Sequence, residues 1–355
     1  MQKFALVWVL GIALLCLLGG AFAGFELRPA PVPSTPAAGS PALSVAAAGT
    51  LATAFGQVGS LLVNDTPGAQ DPPSAQTYQG SIAALDQLLP PVSGSFDVAA
   101  TADFRLIPQV LEPKYAGWEL VFASNPEVLC YDPSAGALSG INATNWPTLV
   151  ERSGVVMGVA NASADPNGYN EIFVLQLEDQ LLQGGVPSLY QHFFSGAIGT
   201  LATPSPTNAK VEPETQVASL LAAHTVQVFI TYRSYAITHH LSFVAFDPRV
   251  ALGQLDGSDI SFYAQASTAV LTSSGGTQKV VGAPVAYAVT VPSNAPNATL
   301  GDLFVTTLLS PGGSAILTAD GFEPLFPAYS QGTGLPPSLA PEGIPLPPDL
   351  SGLLP

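Results

Sequence analysis

The chain has 355 residues, with nine lysines and arginines against 25 acids and a formal net charge of −16 at pH 7. That balance excludes a nucleic-acid binder, because no basic patch is available to neutralise a phosphate backbone. Of its two cysteines, Cys16 lies in the first apolar run, which leaves Cys130 alone and excludes an intrachain disulfide or a zinc-type cysteine cluster.

Lys3 is followed by an unbroken apolar run from Phe4 to Leu18, then Gly19, Gly20 and Ala21-Phe22-Ala23. This reads as a signal peptide over residues 1–23, cut after Ala23. The run to Ala23 is also about long enough to span a bilayer, so an uncleaved N-terminal anchor is the alternative. Residues 24–41, rich in Pro and Ala, read as a linker that tethers an exported body to the cell surface or leaves it free in the periplasm.

From Leu43 the pattern alternates. A short apolar strand leads into Ala48-Gly49-Thr50-Leu51 and a helix through Leu62, and Ser81 opens a second helix. Residues 95–103 read as a strand and turn, and Trp118 to Ala123 and Glu127 to Tyr131 as further strands. Val155 to Ala160 reads as a buried strand. Asp165, Pro166 and Gly168 then open a helix whose apolar side holds Ile172, Phe173, Leu175, Leu177, Leu181 and Leu182. A helix starts near Pro213 with Glu214 in its first turn. Val226 to Tyr232 is strand, Ser234 to His240 helix, and Ala286 to Val291 strand again. Residues 331–355 read as a Pro-rich, disordered or extended tail. This alternation predicts an α/β architecture with ligands at the carboxyl ends of the strands.

Four predicted helix starts bear a hydroxyl or a carboxylate: Thr50, Ser81, Asp165 and Glu214. Each alone is an ordinary cap, or an acid where the helix dipole favours one. Together their unpaired N–H groups suit an anion. Other candidates are weaker. His239 and His240 are adjacent, which on a helix places them on different faces, and Cys130 sits in an apolar strand. No GxSxG or HExxH motif occurs, which removes the usual hydrolase constellations. Asn64, Asn142, Asn161 and Asn297 lie in Asn-X-Ser/Thr sequons of the kind that arise by chance.

In order along the chain, Ala48 to Leu51, Gly80-Ser81, Thr101-Ala102-Asp103-Phe104-Arg105 through Pro108, and Asn142 to Trp146 resemble the archaeal-type molybdate/tungstate-binding proteins of ABC importers. So do Asp165-Pro166-Asn167-Gly168-Tyr169, Pro213-Glu214-Thr215, Tyr232 to Ala236, Gly282 to Pro292, and Glu323-Pro324-Leu325. Three departures stand out: Thr50 where that family usually has Ser, Asn167 where it often has Cys, and Tyr78-Gln79-Gly80-Ser81 where Ala-Ala-Gly-Ser is usual.

The resemblance implies a two-lobed, Venus-flytrap, periplasmic-binding-protein-like fold, each lobe a mixed sheet flanked by helices, with a two-strand hinge. One lobe would comprise residues 42–123 and 283–330, the other 124–282. It implies that Thr50 and Ser81 offer hydroxyl and N–H donors, that Asp165 and Glu214 approach the metal centre of the oxyanion, and that Tyr232 reaches it. No cofactor beside the ligand, no enzymatic activity, an ABC permease as partner and a monomeric state follow from the same resemblance. The alternatives are a receptor for another tetrahedral oxyanion such as sulfate, and a surface-displayed interaction module that has lost transport.

Two carboxylates facing a dianion require a physical account. At an effective dielectric near 20 and ~4 Å, each carboxylate beside a dianion costs about 8 kcal/mol. Direct coordination of a high-valent, Lewis-acidic centre by carboxylate oxygens offsets that cost, whereas sulfur and phosphorus do not expand their coordination. Asp165 and Glu214 would therefore select molybdate or tungstate by repelling sulfate as well as by attraction. Proton uptake by one acid is the competing mechanism.

Overall fold

The computed structural model describes residues 43–65, 76–182, 188–272 and 275–355. They belong to one compact unit, Pro41–Pro355. The expected signal peptide or anchor and the linker lie outside the described residues.

Strands come first in short pieces: β1 Val45–Ala48, β2 Gln76–Gln79, β3 Val98–Thr101 and β4 Trp118–Ser124. Next are β5 Glu127–Tyr131, β6 Met157–Val159, β7 Phe194–Ser195, β8 Thr203–Pro204, β9 Ala209–Val211, β10 Val228–Tyr232 and β11 Phe243–Ala245. A hairpin of β12 Ser267–Leu271 and β13 Thr277–Val281 precedes β14 Ala286–Thr290, β15 Glu323–Gly332 and β16 Gly343–Pro345.

Two larger sheets organise these strands. One has seven strands in the order β16-β15-β4-β14-β3-β1-β2, and the other five in the order β11-β5-β10-β6-β9. Both are mixed: β1 runs parallel to β2 and β3, β14 antiparallel to β3 and β4, and β10 antiparallel to β5 but parallel to β6. The chain passes from the first sheet to the second between β4 and β5, and returns between β13 and β14. At the first passage the Asn125 carboxamide donates to Ser234 Oγ at 2.7 Å and accepts from Ser234 N at 3.1 Å. Every residue of β4 and β14 is buried, as expected of central strands covered on both faces.

The helix Pro166–Leu181 packs against β10 of the second sheet and against β12, and with them makes up the second layer, the seven-stranded sheet and its helices being the first. The sequence gives this helix one apolar side, yet residues Pro166 to Glu178 are all buried. Its polar positions are covered because neighbours bond them: Gln176 exchanges hydrogen bonds with the backbone of Ser267 at 2.9 and 3.2 Å, and Tyr169 reaches Asp103. A buried helix is wrapped all round, so polar residues facing partners stand in for an apolar stripe.

The carboxyl-terminal segment is folded, which corrects the reading of residues 331–355 as a disordered or extended tail. Ser330, Gln331 and Gly332 pair with Leu120, Glu119 and Trp118 of β4, and β16 adds a parallel edge strand. Leu339 and Leu350 are wholly buried. Proline content misled because an edge strand needs few N–H donors, so Pro345 sits there without breaking the ladder.

Candidate functional site

Asp165 caps its own helix, its Oδ1 accepting from Asn167 N at 3.0 Å. The other three residues at helix starts do something else. Thr50 lies in a single 3-10 turn, Gly49–Leu51, that runs into the helix Ala52–Asp65, and the cap position is Ala48. Its hydroxyl instead meets Tyr287 Oη at 2.7 Å. Ser81 is the first residue of the helix Ser81–Asp86 after Gly80, and its Oγ accepts from Ala102 N at 2.9 Å. Glu214 opens a 3-10 turn after Pro213, with Oε1 accepting from Thr231 Oγ1 at 2.8 Å.

Two glycines bring these turns together. A Cβ on Gly80 would lie 2.5 Å from Ala164 O and 2.8 Å from Asp165 Cβ, so the Ser81 helix start presses directly on the Asp165 loop. A Cβ on Gly49 would lie 2.7 Å from Thr215 Cγ2 and 3.7 Å from Glu214 Oε2. Ala83 N also donates to Ala164 O at 3.3 Å. Tyr232, at the end of β10, is buried and packs edge-on against Tyr287 with centroids 5.9 Å apart; Asn170 Nδ2 lies 3.5 Å from its hydroxyl. The turn that carries Thr50 thus abuts that of Glu214, the helix start of Ser81 abuts the Asp165 loop, and Tyr287 links Thr50 to the ring of Tyr232.

Electrostatically the site is acidic. Burial raises Asp165 to about 6, and burial together with the charge of Asp165 raises Glu214 to about 8. Two further carboxyls take part. Glu127, the cross-strand partner of Tyr232, is fully buried and pushed well up by burial and by Glu214. Neither of its oxygens has a well-formed hydrogen bond, although the Asn170 carboxamide offsets part of the shift. Glu171 is also pushed well up by burial, while Ala160 N at 3.1 Å and Asn167 Nδ2 at 2.6 Å donate to it. No lysine or arginine is among the groups that shift these four acids. Among the described residues no three His, Cys, Asp or Glu side chains converge to hold a free metal ion.

Beside this cluster stands a different acid. Asp103 takes Arg105 Nε at 2.9 Å and Nη2 at 2.6 Å, and Tyr169 Oη donates to it at 2.7 Å. Burial works against its charge, but Arg105 and these bonds prevail and hold it below the usual carboxylate range. Asp103, Arg105 and Tyr169 form one wall of a cavity of about 730 Å³, which also touches Ile82, Gln109 and Lys279.

A family model described as bacterial extracellular solute-binding protein matches residues 43–323. The chain belongs to this solute-binding protein family. An uncharacterized solute-binding protein of Methanoculleus marisnigri is 33% identical over 249 residues, covering 66% of this chain and 69% of the relative. The molybdate/tungstate-binding protein WtpA of Thermococcus kodakarensis is 28% identical over 251 residues, covering 66% and 68%. The solved Azotobacter vinelandii periplasmic molybdate-binding protein shares the fold, with a TM-score of 0.53 at 14% identity over 79% of this chain and 98% of that one. The chain is therefore a solute-binding protein with the two-lobed fold of periplasmic binding proteins, and its relatives are binding proteins rather than enzymes.

Sequence reasoning alone left several residues of this solute-binding protein without a role. Tyr287 and Asn125 were visible only as parts of strands or their ends, and Glu127 only as a strand start. An acid opening the otherwise apolar strand Glu127–Tyr131 was the available signal, since acids are seldom buried without a reason. Cys130 is buried core, and burial pushes its thiol up. His239 stacks on Tyr235 with centroids 3.9 Å apart, a structural contact.

Proposed function

We propose that this solute-binding protein captures molybdate or tungstate between its two sheets and hands it to a membrane permease. Residues 42–123 and 283–330 act as one lobe and 124–282 as the other, closing on the anion as a monomer tethered or released by residues 1–41. The observation behind this reading is the pairing of Asp165 and Glu214 with no cation among the groups that perturb them. A sulfate pocket built from carboxylates would repel its ligand. A molybdenum or tungsten centre accepts carboxylate oxygens, with Thr50, Ser81 and Tyr232 holding the remaining oxygens of the anion.

Sulfate is the second reading, and one observation favours it. Burial and the charge of Asp165 push the Glu214 carboxyl up, and in its protonated form it can donate to an anion oxygen. The two readings differ in protons. Coordination needs carboxylates, so molybdate or tungstate binding expels any proton that the Asp165–Glu214 pair carries. Donation to sulfate retains or gains them.

Calorimetric titration with tungstate, molybdate and sulfate, in buffers of different ionisation enthalpy, measures affinity and proton count together. Tight tungstate and molybdate binding with proton release, absent sulfate heat, and a loss of at least about a hundredfold in Asp165→Asn and Glu214→Gln is the expected result. Sulfate binding with proton uptake would replace the first reading by the second.

A further inference from the structure

We infer that Asp103, Arg105 and Tyr169 form a clasp across the two lobes that sets how long a bound anion stays. The inference rests on the receptor reading only in that a bound anion is what the clasp retains.

Asp103 and Arg105 follow β3 of the seven-stranded sheet, whereas Tyr169 belongs to the helix Pro166–Leu181, which packs on β10 and β12. Tyr169 Oη crosses between them to Asp103 Oδ2 at 2.7 Å. Arg105 closes the unit from the other side. Its Nε and Nη2 fork onto Asp103, and its Nη1 donates to Val281 O at 2.8 Å, at the end of the β12–β13 hairpin. One aspartate on the first layer is thus tied, directly and through its arginine, to two elements of the second. Tyr169 and Asp103 are 2% and 5% exposed, so water does not compete for these bonds in the closed form.

Position links the clasp to release. Tyr169 lies one helical turn after Asp165, so separation of the lobes at the cleft must break the Tyr169–Asp103 bond. The wall they form faces the 730 Å³ cavity, which is lined from the first layer by Ile82 and Gln109 and from the second by Leu271 and Lys279. A hydrogen bond to a charged, buried acceptor that exists only in the closed form slows opening without touching the anion. Tyr169 is a positioning residue in this sense. In Tyr169→Phe the ring still packs on Phe173 and Asp103 keeps Arg105, so the substitution removes the direct Tyr169–Asp103 bond between the lobes while leaving no buried charge unpaired.

The test uses Tyr169→Phe, with Asp103→Asn as a second variant should the first fold poorly. Stopped-flow chase of bound tungstate or molybdate, ligand-free thermal unfolding, and dipolar distances between spin labels at D86C and L271C, with Cys16→Ser, are measured together. Asp86 and Leu271 are exposed on opposite sides of the cavity. Dissociation faster by about tenfold, an unchanged association rate, longer distances in the ligand-free protein and a ligand-free melting temperature near that of the parent are expected. A lower melting temperature with unchanged dissociation and distances would reduce the triad to a structural role and overturn the inference. If none of the three oxyanions binds the parent protein, the receptor reading fails and the ligand-free distances decide alone: lengthening in Tyr169→Phe upholds the clasp, and no change removes it.

Discussion

Two groups of buried acids sit side by side and behave in opposite ways. Asp103 is wrapped by the Arg105 fork and the Tyr169 hydroxyl and stays ionised. Glu214, Glu127 and Glu171 are as well shielded from bulk water and Asp165 is half-buried; all four lack a cationic partner and are pushed up. Burial is common to both, so it does not decide their charge; the neighbours do. The satisfied acid ties structure together. The acids without a cation sit next to converging turns, and Glu127 among them has no well-formed hydrogen bond, the pattern by which strongly perturbed groups point to function.

Removing the cation from the satisfied acid should erase the difference, with the largest effect expected anywhere in the molecule. Arg105→Ala leaves Asp103 as an uncompensated buried charge, and breaking a buried pair in this way costs about 3–5 kcal/mol. Chemical denaturation at pH 7 should register that loss, and lowering the pH should partly restore stability as Asp103 takes up a proton. A loss below about 1 kcal/mol would mean that solvent reaches the pair and that the two groups of acids do not differ by compensation.

The unsatisfied side is sharpened by Glu127→Gln, whose effect depends on pH. Glu127 in the folded protein keeps its proton well above the ordinary value of 4.5. Between 4.5 and its folded value the unfolded chain binds fewer protons than the native one, so stability is fully present below 4.5 and falls as pH rises. Each such group contributes a slope of up to about 1.4 kcal/mol per pH unit. Glutamine does not titrate, so the variant should lose less stability than the parent between pH 5 and pH 8, as measured by urea unfolding at both. Identical slopes would place Glu127 among the solvated acids.

Much of the scaffold was legible because periodicity and turn chemistry are local. The apolar runs at Val98–Thr101, Trp118–Ser124 and Val228–Tyr232 could hardly be anything but strands, and Asp165-Pro166 announces a helix start from two residues. The site was legible only as a set of helix starts. What those starts do depends on Gly49 and Gly80 letting backbones from distant parts of the chain touch, and no window of sequence contains that information. Glu127 and Tyr287 were missed for the same reason: their significance lies in facing Asp165, Glu214 and Thr50 across long separations. The folded carboxyl-terminal segment was missed because composition registers prolines but not the bare edge of β15 that they cover.

The smallest expected effect concerns the first layer's share of the cleft. Thr50 Oγ1 meets Tyr287 Oη at 2.7 Å, and Asn125 Nδ2 lies 3.2 Å from the same oxygen. Tyr287→Phe keeps the edge-on packing against Tyr232, Phe122 and Phe322, and Asn125 retains Ser234, so little else is disturbed. The lost bond should cost about 1 kcal/mol, read as a fall in tungstate affinity of about fivefold, because Thr50 Oγ1 no longer has a partner to fix its direction. The fall should be larger in affinity than in ligand-free stability if the hydroxyl points at the anion. An equal fall in both would mean that Thr50 and Tyr287 hold the first layer together and that anion selectivity rests with the acids of the second layer alone.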